Sequence, residues 1–462
     1  MTVQLRQLAA TVVLGCATLA CGRPHDVIVV TLDTTRRDHV GVYGYRRGIT
    51  PRIDQFASEA IVYENAWSTA SWTLPAHASI LTGKHPTSHG AHFEARRGDA
   101  ELAEVLGTAR AGEVLVNRLS EDETTLPELL KTAGYATAAF AGGPWLAPPF
   151  GLLQGYDEQD VSDIAREGGR PAEELTDHAL AWISRQPREK PVHVLINYFD
   201  PHWPYTPPPG YDDLPHAREE IDKRYFLGVN RGALGLTPEQ HDIWVDHYDG
   251  EIRFMDHHLG RLLDGLRAAD RYEDALIIVV ADHGESFGEH GFIEHGRWLY
   301  DDVLRVPLIV RYPDARGGGS VVSAAVSVVD LLPLVATEVG LKLPADVEGV
   351  EPGQRDLVLA EEFRDLHAIT VFGERFNRDL FAVIRWPNKI IISDRDPPEL
   401  YDLAFDRGEL LNIFKTRRGV AMDLLRQAIT ARTELHAPAS LEAPRDVAPE
   451  TRDRLRSLGY IK

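Results

Sequence analysis

The sequence predicts an α/β protein: a mixed, mostly parallel sheet between helices, with a smaller antiparallel α+β subdomain at the carboxy terminus. Three observations predict it. Residues 26–32, 192–200 and 275–286 each carry a nearly continuous apolar, β-branched run that leads into an acid, the pattern of strands buried on both faces. Helix-patterned stretches lie between them, as connections between parallel strands require. After about residue 350 the runs become short and alternating, joined by charged turns, as in an antiparallel sheet.

Taken in order, DVIVVTL (26–32) is the first strand, and Asp33 follows at its carboxyl end, the edge where open α/β sheets bind ligands. PRIDQFASEAI (51–61) is an amphipathic helix opened by Pro51. Trp72 to Lys84 reads as a second helix, with Thr73 at its start, Pro75 in its first turn and Gly83 closing it. Residues 91–123 are mixed and charged, an excursion from the sheet. A helix, a Gly134 stop and a strand fill 124–143, and a further helix falls within 164–186. VHVLINYFD (192–200) ends in Asp200, and a proline-rich loop follows over 204–214. Residues 241–269 form a long helix, and ALIIVVADHGES (275–286) is the clearest strand-to-loop step, running into Asp282-His283-Gly284. Strands at 306–313 and from 321, then a helix to 340, complete the larger unit. Short strands between 351 and 400, a helix near 419–434, a linker over 436–450 and a short terminal helix complete the chain. The expected division is a leader over 1–21, a catalytic domain over 26–350, a subdomain over 351–435 and a tail over 436–462.

A chain of 462 residues with 44% apolar residues and 8% aromatics buries a large core. Its net charge of −21 argues against a nucleic-acid polymer as partner, since phosphate backbones need clustered Lys and Arg. Residues 1–21 combine one basic residue, an apolar core and small residues, as an export signal does. Both cysteines, Cys16 and Cys21, lie inside it, so the mature chain is expected to have no disulfide. Leu19-Ala20-Cys21-Gly22 resembles a bacterial lipobox, and Val13-Leu14-Gly15-Cys16 is a second candidate. The expectation is therefore an extracytoplasmic lipoprotein that meets the membrane only through a lipid anchor.

Three strand ends present Asp33, Asp200 and Asp282-His283, and the helix that begins at Thr73 could point into the same crevice. Asp33, Asp282 and His283 supply two oxygen ligands and one nitrogen ligand, and Thr73 a fourth oxygen, a set that suits one divalent ion. Such an ion lowers the pKa of the Thr73 hydroxyl, which is otherwise a poor nucleophile. Thr73 also stands at the positive end of its helix. His77 lies one turn further on, and Lys84 is a candidate for stabilising the transferred group. His202 and His295 are candidate general acids toward the leaving oxygen.

These residues carry a resemblance. The chain resembles the sulfatase branch of the alkaline phosphatase superfamily over roughly residues 26–415. The signature of that branch, nucleophile-x-Pro-x-Arg and then Leu-Thr-Gly-Arg, reads here Thr73-x-Pro75-x-His77 and Leu81-Thr82-Gly83-Lys84. The amino-terminal element reads Asp33-Thr34 and Asp38-His39-Val40-Gly41-Val42-Tyr43-Gly44. The Asp-Pro-His-x-Pro-Tyr loop is Asp200-Pro201-His202-Trp203-Pro204-Tyr205, and the metal element is Ala281-Asp282-His283-Gly284. Arg305-Val306-Pro307 and Tyr401-Asp402-Leu403 with Asp406, Glu409 and Asn412 extend it. The resemblance implies an alkaline-phosphatase-like fold and a metal-dependent ester hydrolase.

The departures shape the expected chemistry. Sulfatases use a formylglycine made from cysteine or serine, whereas position 73 is threonine and position 77 histidine. Oxidation of threonine would give a ketone, so a diol nucleophile is not expected. Thr34 stands for a second metal-binding carboxylate, and His283 for what is often asparagine. These changes favour Mn²⁺ or Zn²⁺ at a single site, with Ca²⁺ as the alternative and no second ion expected. Superfamily members with a plain threonine nucleophile act on phosphoesters. The first expectation is accordingly a phosphoester or phosphonate ester, cleaved or transferred through a covalent Thr73 intermediate. The alternatives are a sulfatase working without formylglycine and an inactive binding member. The expected partner is a small-molecule, glycan or lipid ester, with Trp145, Trp203 and Tyr205 as candidate pocket walls.

Overall fold

The computed structural model describes residues 25–93 and 115–461. The leader and the two candidate lipidation cysteines, and most of the 91–123 excursion, lie outside the described residues.

Eight strands form the main sheet: β1 Val27–Leu32, β2 Ile61–Trp67, β3 Ala136–Ala141, β4 Glu158–Asp160, β5 Val192–Tyr198, β6 Leu276–Val280, β9 Leu308–Arg311 and β10 Val321–Ser327. A two-stranded hairpin, β7 Ser286–Phe287 with β8 Ile293–Glu294, lies between β6 and β9 in the chain. The sheet order is β10-β2-β9-β6-β1-β5-β3-β4. Only β9 runs against its neighbours, pairing antiparallel with both β6 and β2, so the sheet is mixed and mostly parallel. Strand β1 is central, with β5 and β6 parallel on its two sides in the registers Thr31↔Asn197 and Thr31↔Val280. Every residue of β1, β5 and β6 is buried. A strand covered by helices on both faces has no need of polar alternation.

The helices gather in two sets. The 31-residue Pro238–Ala268 helix packs with Ala172–Arg185 and Pro51–Ala57. The Thr73–Thr82 helix packs with Leu126–Thr132 and Leu331–Val339. All ten residues of Thr73–Thr82 are buried, so this short helix is held by tertiary packing and not by its own propensity.

The carboxy-terminal subdomain is a four-stranded antiparallel sheet, β11 Val358–Glu362, β12 Leu380–Arg385, β13 Asn388–Ser393 and β14 Glu399–Asp402, in chain order. Its period of two is explicit in β12. Leu380, Ala382 and Ile384 join Trp298, Leu299 and Leu304 of the larger unit, while Phe381 and Val383 meet Ala421, Leu424 and Ala428 of the Arg418–Glu434 helix. Lys389, fully buried, ties the two units through Asp301 at 2.7 Å and Glu409 at 2.8 Å. The tail then returns to the main core. Arg118 N donates to Glu442 O at 2.7 Å, and Leu455, Leu458, Tyr460 and Ile461 pack into the core around the main sheet.

Candidate active site

The central strands deliver the site at their carboxyl ends. Asp33 follows β1, Asp282 and His283 follow β6, and Asn197 lies near the end of β5. Asp33 N donates to Tyr198 O at 2.9 Å, extending the parallel ladder one residue beyond β1. Asn197 is buried and works in both directions. Its Nδ2 donates to Asp33 Oδ2 at 3.0 Å, and its Oδ1 accepts from the amides of Gly142 and Gly143 at 3.2 and 3.1 Å. Gly284 is required by packing, because a Cβ there would lie 2.1 Å from the Asp302 carbonyl oxygen.

Asp33, Asp282 and His283 are fully buried, and one ligand atom from each lies within 4.8 Å of the others. Asp33 Oδ1 and Asp282 Oδ2 have no hydrogen-bond partner among the described residues. His283 Nδ1–H donates to Gly284 O at 2.9 Å, which leaves the Nε2 lone pair free. That Nε2 is 3.4 Å from Asp282 Oδ2, 3.9 Å from Asp33 Oδ1 and 3.3 Å from Thr73 Oγ1. Burial, with the Asp282 charge adding to it, pushes Asp33 well above the usual carboxyl range. Burial raises Asp282 too, but His283 and His77 outweigh it and hold that carboxyl below its ordinary value. Two orphaned carboxylate oxygens and an imidazole lone pair, separated like the ligands of one ion, could hold one metal ion. Thr34 adds a backbone N–H to Asp282 Oδ1 at 3.3 Å from a left-handed conformation, φ 52°.

Thr73 is the first residue of its helix, preceded by Trp72 in an extended conformation. The first bonded amide is that of Ala76, to Trp72 O at 3.3 Å, so the amides of Thr73 and Leu74 stay available at the helix's positive end. His77 lies behind the group. Its Nδ1–H donates to Thr73 O at 3.0 Å, its Nε2 meets Thr31 Oγ1 at 3.1 Å, and Nδ1 is 3.3 Å from Asp282 Oδ2. It braces the helix against β1. Lys84 is not brought to this group. The helix of ten residues places it about 15 Å from Thr73, and its Nζ pairs with Glu123 at 2.7 Å and with Asp346.

His202 and His295 are brought together, with ring centroids 4.9 Å apart, and His295 lies 4.4 Å from His283. Between them stands Tyr460, whose hydroxyl is 2.6 Å from His295 Nε2 and 3.2 Å from His202 Nε2. Donors and acceptors assign as a chain. Tyr205 O–H donates to Glu285 Oε2 at 2.8 Å, and protonated Glu285 donates to His295 Nδ1 at 3.0 Å. His295 Nε2–H donates to Tyr460, Tyr460 O–H donates to His202 Nε2, and His202 Nδ1–H donates to Trp203 O at 2.8 Å. Burial pushes Glu285 well above the carboxyl range and both histidines below theirs, which fits neutral members throughout. Asp200, by contrast, is committed elsewhere. Its carboxylate accepts from Ala172 N at 3.0 and 3.2 Å and caps the Ala172–Arg185 helix. Of the three aromatics, Trp145 packs edge-on to Tyr460 at 5.1 Å, while Trp203 stacks on Trp244.

Two family models match the chain: "Sulfatase" over residues 25–341 and "N-sulphoglucosamine sulphohydrolase, C-terminal" over residues 288–433. The chain belongs to the sulfatase family. It is 24% identical to an N-acetylglucosamine-6-O-sulfatase of Bacteroides thetaiotaomicron, with 85% of this chain and 83% of that one covered. To an arylsulfatase of Clostridium perfringens it is 23% identical, covering 85% and 90%. A phosphonate monoester hydrolase of Agrobacterium radiobacter shares the fold, with a TM-score of 0.67, 20% identity and 90% and 96% covered. In this sulfatase-family chain the metal-type donors and Thr73 converge as one group. Asn197, Glu285 and Tyr460 carry no local sequence signal of their partners: Asn197 is a polar residue inside a strand, Glu285 sits in the turn between β6 and β7, and Tyr460 follows the short helix at the end of the chain.

Proposed function

We propose that this chain is a metal-dependent hydrolase of sulfate monoesters in which the Thr73 hydroxyl is the nucleophile. The observation that carries the proposal is Thr73 Oγ1 at 3.3 Å from His283 Nε2, beside two carboxylate oxygens at the same sheet edge that accept no hydrogen bond among the described residues. Both family models and the relatives named above favour sulfate over the phosphoester that threonine alone suggests.

Asp33, Asp282, His283 and Thr73 would hold one divalent ion, which supplies positive charge toward the Thr73 hydroxyl and the ester's anionic oxygens. The remaining work belongs to the chain. The free amides of Thr73 and Leu74 favour the anionic group at the helix start. The Thr73 hydroxyl would give up its proton to solvent, and Oγ1 then bonds to sulfur as the bond from sulfur to the leaving oxygen breaks, giving a sulfo-threonine. His295 Nε2–H gives its proton to the leaving oxygen, and the Glu285 carboxyl behind it replaces that proton at Nδ1. A water oxygen then bonds to sulfur as the bond from sulfur to Thr73 Oγ1 breaks, so that sulfate leaves while the water's two protons restore the Thr73 hydroxyl and the Glu285 carboxyl. His202 holds the departing hydroxyl, and Asn197 and His77 keep Asp33 and the Thr73 helix in place.

A second reading, cleavage of a phosphoester or phosphonate ester by the same residues, is favoured by the unmodified hydroxyl at position 73. Nitrophenyl sulfate, phosphate, phosphonate and phosphodiester substrates, assayed after restoring Mn²⁺, Zn²⁺ or Ca²⁺ to metal-free enzyme, separate the two. Sulfate turned over fastest supports the proposal, and preference for a phosphorus ester transfers it to the second reading. A chain that binds metal and turns over none of the four is a binding member of the family. The export signal and Cys21 support a lipid-anchored, extracytoplasmic protein, tested by fatty-acid labelling that Cys21→Ala, or failing that Cys16→Ala, abolishes.

A further inference from the structure

The loop after β1 builds a cavity of about 310 Å³ apart from the Thr73 group, with Arg37 and Tyr43 from that loop, Arg305 before β9 and Arg407 after β14 among its walls. None of the residues lining it belongs to the metal-type group, to Thr73 or to the histidine pair. Carboxylates line it as well, but they are already engaged. Arg36 holds Asp38 at 2.8 Å and Glu289 at 2.6 Å, Lys389 holds Asp301 and Glu409, and Ser286 donates to Asp302. Burial pushes Asp302 up to about 7 and Glu409 up to about 8, which further reduces their negative charge near neutral pH.

Among the described residues, three guanidiniums on this cavity make no ion pair with a carboxylate. Arg37 is 8% exposed and makes no hydrogen bond from its guanidinium among the described residues. It lies 4.4 Å above the Tyr43 ring, and the Tyr43 hydroxyl is itself fixed by Leu308 N and Leu308 O, each at 2.9 Å. Arg305 is 7% exposed and lies against the neighbouring rings of Trp67 at 5.4 Å and Trp386 at 5.3 Å. It donates only to neutral acceptors, Glu64 O and Asn65 Oδ1, and its Nε has no partner. Arg407, at the exposed mouth, makes no ion pair or hydrogen bond among the described residues. Burial, with the charges of Arg305 and Arg407 adding to it, lowers Arg37 to about 10. Aromatic rings orient a guanidinium without neutralising it. A buried cation without a counter-charge is costly, and an arriving anion removes that cost.

We propose that this cavity is a second oxyanion site, taking a sulfate or phosphate group either as the free ion or as a substituent of a larger molecule. Three guanidiniums on one cavity suit a tetrahedral, doubly charged group, since each offers a planar fork of N–H donors to its oxygens. Preorganisation by Tyr43, Trp67 and Trp386 means that little side-chain order is lost on binding. The site does not rest on ester chemistry at Thr73.

The test is calorimetric titration of the full chain, stripped of metal with a chelator, with sodium sulfate against sodium chloride at equal ionic strength. The expected result is one saturable sulfate site, retained in Thr73→Ala and weakened at least about tenfold in Arg37→Met and Arg305→Met, as loss of a charge-assisted contact implies. Arg407→Ala, at the exposed mouth, leaves the core intact and is expected to weaken binding roughly threefold, as an exposed charge does. Parallel titrations with inorganic phosphate and glucose 6-sulfate separate the sources. Tighter binding of the sugar ester assigns a carried group, and tighter binding of either inorganic ion assigns the free anion. No saturable binding of any of the three, or binding unchanged in both Arg37→Met and Arg407→Ala, overturns the site.

Discussion

The Nε2 of His283 lies 3.3 Å from the Thr73 hydroxyl, with its other ring nitrogen bound to the Gly284 carbonyl. One nitrogen is therefore left free to hold a metal ion beside the proposed nucleophile, and the rest of its ring is fixed. His283→Ala is expected to cut Mn²⁺ or Zn²⁺ affinity by more than about 100-fold, beyond what loss of a supporting contact gives. Equilibrium dialysis checks it, and unchanged metal content would remove His283 from the site.

Asn197 offers a subtler test. It bonds Asp33 Oδ2 at 3.0 Å and is anchored by two glycine amides. Asn197→Ala should lower metal affinity about 10- to 100-fold while leaving Asp33 in the chain. Affinity within about twofold of wild type, measured the same way, would mean that Asp33 needs no such support.

How far the sequence reveals this site depends on the kind of residue. Asp33, Asp282 and His283 are legible because a buried parallel strand must end somewhere, and its carboxyl edge is where ligand groups collect. The same rule reaches too far at Asp200. It fixes a residue at the edge without fixing its direction, and this carboxylate turns to the Ala172 amide. Lys84 fails for a different reason: a motif keeps residues close in sequence, while a helix of ten residues carries its two ends apart. Strand β2 carries no clear strand signature, because IVYENAW interrupts the apolar run with Glu64 and Asn65. Tyr460 is invisible from sequence, as only the folded tail shows that it meets His202 and His295.

Tyr460 occupies both imidazole nitrogens that are assigned to the leaving oxygen. Substrate must take these contacts over. Tyr460→Phe keeps the ring against Trp145 and removes the competing hydroxyl. KM for an aryl sulfate is expected to fall about 5- to 10-fold, the worth of one net hydrogen bond, with kcat within about twofold. Steady-state kinetics decide. A kcat reduced more than about tenfold with KM unchanged would make the hydroxyl a participant and not a competitor.

Asp200 predicts a pH dependence of stability. Burial raises its pKa from 3.8 to about 7 in the folded chain. Between those values the folded state holds a proton that the unfolded state has released, so raising the pH through this window destabilises the fold. The slope is up to about 1.4 kcal/mol per pH unit for one proton. Denaturant unfolding at pH 5, 6 and 7 should show wild type losing stability relative to Asp200→Asn as pH rises. Parallel profiles would contradict it.

In the proposed reaction Thr73, as an unmodified hydroxyl, attacks the ester. The most direct measurement is the mass of the peptide carrying residue 73, taken from metal-restored enzyme quenched in acid while turning over an aryl sulfate. The expected result is threonine heavier by one sulfo group, and a Thr73→Ala protein that binds metal through its three remaining ligands but has no turnover. Wild-type turnover by Thr73→Ala, or an oxidised side chain at position 73, would contradict it.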